Sequence, residues 1–181
     1  MATLTLKGNP IHTSGELPPV GHPCPPFSLT RMDLSELSSV DLEGQRVVLN
    51  IFPSIDTSTC AASVRAFNER AGESPNTVVL CVSMDLPFAT KRFCTIEGLD
   101  QVVPASAFRH PEFGKHFGLT LVDGPLRGLL ARAIVVLDEY GTLVHTELVK
   151  ELTQEPDYDS ALSILARHHQ PVPEDALESA E

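Results

Sequence analysis

The chain has 181 residues, 24 of them acidic and 13 basic, for a formal net charge of −11. A surface so acidic repels phosphate backbones and anionic bilayers, which sets aside nucleic acid and membrane surfaces as partners. One domain of this size buries most of its unfolded surface without covalent staples. The N-terminal stretch lacks a basic segment followed by an apolar one, and no later apolar run is long enough to span a bilayer, so the expected location is the cytoplasm.

The elements follow in order. "ATLTLKGNPIHTSGELPP" alternates apolar and polar residues around Gly8-Asn9-Pro10, the pattern of an N-terminal hairpin turning there. "VGHPCPPFSLT" is proline-rich and reads as an extended connector, since residues before proline avoid the helical region. "QRVVLNIFPS" has the length and the Val/Ile/Phe content of a buried central strand. A helix follows at once, with Val64, Phe67 and Ala71 on one face and Gly72 placed to stop it. "NTVVLCVSMD" is a second buried strand, and the helix after it has Asp85 as its cap, Pro87 in its first turn and Gly98 at its end. This βαβα series predicts an α/β fold whose sheet is partly parallel, with right-handed crossovers. A loop-rich middle holds a short helix near "HPEFGKHFG", "ARAIVVLDEYGTLVHTELV" makes a hairpin turning near Glu139-Tyr140-Gly141, and "EPDYDSALSILARHH" closes the domain as an amphipathic helix. The reading is one domain over residues 1–168, with an acidic, proline-containing tail over 169–181 that is expected to be unstructured.

The four cysteines, Cys24, Cys60, Cys81 and Cys94, match no CxxC or paired zinc framework, and the seven histidines are mostly scattered, so no metal site is expected. In a reducing compartment all four read as thiols. Cys60 stands out because it follows Thr57-Ser58-Thr59, any of which can supply the hydroxyl cap of the coming helix. Its sulfur then lies in the first turn, where unpaired N–H groups and the positive end of the macrodipole favour a thiolate. The junction also sits beyond the carboxyl end of a strand, the usual place of sites in α/β sheets. The competing reading is a buried cysteine acting as a small hydrophobe.

"PSIDTSTC" places Pro53, Thr57 and Cys60 in the order Pro-x3-Thr-x2-Cys, which resembles the peroxidatic motif of peroxiredoxins. The blocks "FPSIDTSTCAASVRAFN", "NTVVLCVSMDLPFATKRFC", "EGL", "DGPLRGLLARAIVVLDE" and "EPDYDSAL" look like the thiol peroxidase branch of that family, the atypical two-cysteine peroxiredoxins, in its order. The resemblance runs from the N-terminal hairpin to about Arg167. Three departures accompany it: Ser58-Thr59 stands where a small residue or proline and then valine are common, Cys24 takes a connector position that is usually not cysteine, and the acidic tail is added.

The resemblance implies a thioredoxin-like fold, with a mixed central sheet flanked by helices, and a thiol-dependent peroxidase acting on hydrogen peroxide and organic hydroperoxides. It implies Cys60 as nucleophile and Thr57 as hydrogen-bond partner of thiolate and peroxide. Pro53 shapes the loop and shields the sulfur, and Arg132 holds the thiolate and polarises the peroxide. Arg132 is notable in its own right, because it precedes an apolar strand and a buried guanidinium is costly without a partner anion; otherwise it is a strand-edge arginine in solvent. Cys94, in "RFC", matches the resolving cysteine that captures the sulfenic acid as an intramolecular disulfide, before further oxidation inactivates the enzyme. Packed helices keep their axes about 8–10 Å apart, whereas disulfide-linked Cα atoms lie within about 7 Å. One or both helix ends are therefore expected to unwind when that bond forms.

Thioredoxin is the implied reductant and a homodimer the implied assembly, with no haem, flavin, metal or other cofactor. A peroxide sensor that signals to a partner protein shares the first chemical step and stands as the alternative. A disulfide exchanger is disfavoured because there is no CxxC pair. Cys81 reads as core, Cys24 as an oxidisable thiol of no assigned role, and Phe88 and Phe93 as core or as the lining of an apolar entrance.

Overall fold

The computed structural model describes residues 1–167, so the expected unstructured tail lies outside the described residues. β1 (Thr3–Leu6) and β2 (Asn9–His12) pair antiparallel as a separate two-stranded sheet. Their turn falls at Lys7-Gly8, with φ of 50° and 81°, and not at Gly8-Asn9-Pro10. A two-residue hairpin turn of this hand needs positive φ at both centres; Gly8 supplies one without strain, and Pro10 moves into the strand opposite Thr5.

The main sheet has seven strands: β3 (Ser28–Arg31), β4 (Glu36–Ser38), β5 (Arg46–Ile51), β6 (Thr77–Ser83), β7 (Val103–Ser106), β8 (Ala133–Leu137) and β9 (Leu143–Leu148). Their spatial order is β4-β3-β7-β6-β5-β8-β9, with β5, β6 and β7 parallel and every other pairing antiparallel. The mixed, thioredoxin-like sheet is as expected. Three strands are not: β3 takes over the end of the proline-rich connector, β4 follows it, and β7 lies in the loop-rich middle. All are three or four residues long, too short to show a period. Pro104 is tolerated inside β7 because β3 reaches only Ala105 and Ser106, which leaves the position of its missing N–H past the end of that neighbour.

Helix α1 (Ser58–Arg70) follows β5, α2 (Pro87–Glu97) follows β6, and α3 (Glu112–His116) and α4 (Tyr158–Arg167) complete the described chain. Gly72 does not cap α1. The helix tightens instead into a 3-10 turn over Ala71–Glu73. Gly98 does cap α2, in the left-handed region at φ 67°, and Pro87 opens that helix. Asp85 is not its N-cap, a position held by Leu86. The Asp85 carboxylate accepts instead from Ser54 Oγ at 2.8 Å, Ile55 N at 2.7 Å and Ser83 Oγ at 2.7 Å. Three converging donors outcompete one helix-end N–H, and they tie the end of β6 to the loop that carries Pro53 and Thr57.

Alternation along β5 and β8 divides the core between the faces of the sheet. Val48, Ile134 and Val136 join Phe52, Val64, Phe67, Leu162 and Leu165 beneath α1 and α4. Val47, Leu49, Ile51 and Val135 join Leu4, Ile11, Phe113 and Phe117, which closes the hairpin and α3 over the other face. Arg46, at the start of β5, is buried as well. Its Nη1 and Nη2 donate to the carbonyls of Leu165 and Pro75, and its Nε stands 3.6 Å from Glu139, too long for a hydrogen bond.

Candidate active site

Cys60 is the third residue of α1, its side chain wholly enclosed at 0% exposure. Arg132, immediately before β8, is 2% exposed and extends its Nη2 to 3.3 Å from Cys60 Sγ. Solvent-edge placement of this arginine is thereby ruled out. The guanidinium is aimed by a single acceptor, the carbonyl of Leu152, which receives Nε at 3.1 Å and Nη2 at 3.0 Å. Nη1 is buried and has no hydrogen-bond partner among the described residues. A buried cationic N–H without an acceptor is costly, so the geometry leaves a ready donor beside the sulfur.

A cleft of about 580 Å³ opens over this pair, lined by Pro53, Thr57 and Arg132 on one side and by the hairpin residues Leu6 and Ile11 with Leu126 on another. Cys60 itself is not among the lining residues, though its neighbours Ser58 and Thr59 are. Thr57 occupies the N-cap position of α1 but gives no side-chain cap; its hydroxyl donates to the carbonyl of Ser54 at 3.1 Å. No hydrogen bond joins Thr57 to Cys60 among the described residues. Of the three hydroxyls offered as caps, that of Thr59 donates to the carbonyl of Thr153 at 3.1 Å and ties the first turn to the segment after β9.

Cys94 sits on α2, 5% exposed, and burial raises its pKa. All four cysteines are free thiols. Cys81 is core, as expected, its thiol pushed up to about 12 by burial, with Asn50 Nδ2 3.7 Å from the sulfur. Cys24 is half-buried, burial pushes its thiol up to about 12, and its sulfur donates to the Pro25 carbonyl at 3.3 Å. Neither phenylalanine lines the cleft. Phe88 is 64% exposed, and Phe93 packs against the core beneath the Arg65 guanidinium, 5.5 Å from its ring centre. No group of three or more His, Cys, Asp or Glu able to hold a metal occurs among the described residues.

The structure thus brings Pro53, Thr57, Cys60 and Arg132 together and leaves Cys94 on the neighbouring helix. Two contributors escape a reading of side chains. Leu152 acts through its backbone carbonyl, which no residue type signals. Asp85 carries a signal, a serine two residues before it at the end of a strand, but the same letters also spell a helix cap.

A family model described as Redoxin matches residues 19–162. A thiol peroxidase of Mycobacterium tuberculosis is 58% identical over 165 residues, covering 91% of this chain and 99% of the relative. The chain belongs to the redoxin family, in its thiol peroxidase branch. It is accordingly a peroxiredoxin-type peroxidase. A thiol peroxidase of Corynebacterium glutamicum is 53% identical over the same share of both chains. Among solved structures, a peroxiredoxin-like protein from Aquifex aeolicus superposes with a TM-score of 0.87 at 35% identity, covering 92% of this chain and 97% of its own. The thiol peroxidase from Chromobacterium violaceum gives a TM-score of 0.86 at 18% identity, covering 94% and 99%, a likeness of fold alone. No helix among the described residues is long and apolar enough to cross a membrane.

Proposed function

We propose that Cys60 is the peroxidatic nucleophile of a hydroperoxide-reducing cycle, that Cys94 resolves it, and that thioredoxin returns the electrons. The observation that carries this reading is the buried contact of Arg132 Nη2 with Cys60 Sγ at 3.3 Å, with a second guanidinium nitrogen unpartnered next to it. The anionic sulfur attacks the nearer oxygen of the hydroperoxide in line; the S–O bond forms as the O–O bond breaks, sulfur loses two electrons, and the departing oxygen leaves as alcohol or water once it gains a proton. Arg132 Nη1 is in position to donate to the peroxide as charge moves onto the departing oxygen. Thr57 turns its hydroxyl from the Ser54 carbonyl toward the substrate, and Pro53 keeps bulk water from the sulfur.

The Cys94 thiol then displaces hydroxide from the Cys60 sulfenic acid; water leaves and a disulfide forms. A dithiol reopens that disulfide by exchange and is itself oxidised. The enzyme works as a homodimer in the cytoplasm. The test is peroxide consumption with thioredoxin and its reductase. Wild type turns over many times, Cys60→Ser is inactive, and Cys94→Ser gives one stoichiometric burst without thioredoxin-linked turnover. Persistent turnover by Cys60→Ser refutes the assignment of the nucleophile, and a single oxidation of wild type without cycling favours a sensor.

A further inference from the structure

The Glu151 carboxylate lies outside the reacting groups, yet five donors converge on it. Thr5 Oγ1 donates at 2.6 Å, Lys7 N at 2.9 Å, Gly8 N at 3.1 Å, Thr153 N at 3.2 Å and Thr153 Oγ1 at 2.7 Å. The positive φ of Lys7 and Gly8 turns their N–H groups to the same side, which makes the hairpin turn a small anion-binding nest. These hydrogen bonds also hold the carboxyl far below the ordinary range, so it stays ionised.

Backbone bonds continue the connection inward. Thr5 N donates to the Lys150 carbonyl and Leu152 N to the Thr5 carbonyl, both at 2.8 Å. The carbonyl of that same Leu152 receives Arg132 Nε and Nη2 and so determines which nitrogen faces Cys60 and which stays free. The hairpin clamped by Glu151 is also a wall of the cleft, through Leu6, Asn9 and Ile11.

We propose that Glu151 is a positioning residue of the peroxidatic site: by locking the hairpin turn onto residues 150–153, it fixes the Leu152 carbonyl and thereby aims the Arg132 guanidinium. Glu151 touches neither sulfur nor substrate and acts through Leu152 and Arg132. Loss of the clamp lets the Leu152 carbonyl drift, and a misplacement near 1 Å costs up to about a hundredfold in rate.

The inference rests on the assignment of Cys60 and Arg132 above, so the experiment includes Cys60→Ser. Reduced wild type, Glu151→Gln, Glu151→Ala, Arg132→Lys and the Glu151→Ala/Arg132→Lys double variant are mixed with hydrogen peroxide by stopped flow, and their alkylation by iodoacetamide is timed in parallel. Glu151→Ala is expected to slow the peroxide reaction about tenfold or more and to slow alkylation much less. Glu151→Gln, which keeps one acceptor oxygen, falls between it and wild type. In the Arg132→Lys background, Glu151→Ala adds nothing, because the group it aims is already gone. If Glu151→Ala does not fold, Thr5→Val removes one donor and carries the same comparison with a smaller loss. The proposal is overturned if Glu151→Ala reacts within about twofold of wild type, or if its loss multiplies in full with that of Arg132→Lys. Persistence of the peroxide reaction in Cys60→Ser instead overturns the reading of the site itself.

Discussion

Replacing Arg132 by lysine tests whether the guanidinium acts as a fork or only as a charge. In the structure it serves three points at once: two bonds to the Leu152 carbonyl at 3.1 and 3.0 Å, one to Cys60 Sγ at 3.3 Å, and a free Nη1. A lysine ammonium presents its donors from a single nitrogen on a flexible stem. It can reach the sulfur or the carbonyl, and it cannot hold both while also meeting an incoming oxygen. Loss of one preorganised donor to developing charge costs about 2.7–4 kcal/mol, or on the order of 10²–10³ in rate. The expected second-order rate constant of Arg132→Lys with hydrogen peroxide falls by that factor. Thermal unfolding reports a separate loss of about 1–3 kcal/mol, because the buried Leu152 carbonyl loses its partners. Stopped-flow measurement of Cys60 oxidation, with the thiol titrated before mixing, gives the rate. A variant that reacts within about threefold of wild type refutes the fork argument, since simple charge would then suffice.

Asp85→Ala should destabilise the fold by about 1–3 kcal/mol in chemical denaturation, because the Ile55 N–H and two serine hydroxyls lose their acceptor; it should also slow peroxide reduction through the loosened loop, and an unchanged midpoint would count against that tie. Burial raises the Cys24 and Cys81 thiols from 9.0 to about 12, so the unfolded chain releases these protons first. The stability they contribute is whole below pH 9 and drains away as pH rises toward about 12; a Cys24→Ala/Cys81→Ala variant should show a flatter loss over that window, and parallel curves would contradict the burial argument. Hydrogen exchange of the reduced and disulfide forms should show protection lost in the first turn of α1 on oxidation, and identical exchange there would mean that the two sulfurs meet without unwinding.

The sequence made the parallel centre of the sheet legible because β5 and β6 are six- and seven-residue apolar runs, each bounded by a turn and a helix. β7 stayed hidden because "VPAS" is held by its neighbours and not by any preference of its own. At the site, Cys60 drew notice from its place in the first turn of a helix, while its grouping with Pro53 and Thr57 came from the resemblance to the peroxidatic motif. Arg132 needed the family pattern, because a single arginine before a strand does not show on which side of the sheet its side chain lies. Glu151 and Leu152 were beyond reach. Their roles depend on β1 docking against residues 150–152, a contact between the two ends of the domain that only the folded chain creates.

In the proposed cycle, enclosure serves the attack on peroxide and opposes disulfide formation, since a sulfur with 0% exposure has to be uncovered before another thiol meets it. What differs between the two helices is how firmly each is tied. α2 ends in a left-handed Gly98, and Leu99 N donates to the Cys94 carbonyl at 2.9 Å, so the residues just after Cys94 are fixed by backbone bonds. α1 begins without a side-chain cap, which forgoes about 1 kcal/mol. Its first turn is held by the backbone bond of Ala61 N to the Thr57 carbonyl at 3.0 Å and by two hydroxyls at 3.1 Å, Thr57 to the Ser54 carbonyl and Thr59 to the Thr153 carbonyl. Neutral bonds of this kind contribute about 0.5–1.5 kcal/mol each. On the proposed cycle, opening runs from Thr57 toward Cys60 and meets two buried restraints there: Arg132 Nη2 donates to Cys60 Sγ at 3.3 Å and Ser63 Oγ to the Cys60 carbonyl at 2.8 Å. On the proposed cycle the uncapped start of α1 has a use: it leaves Cys60 on the helix end that yields first, while the end of α2 that carries Cys94 stays in place to receive it.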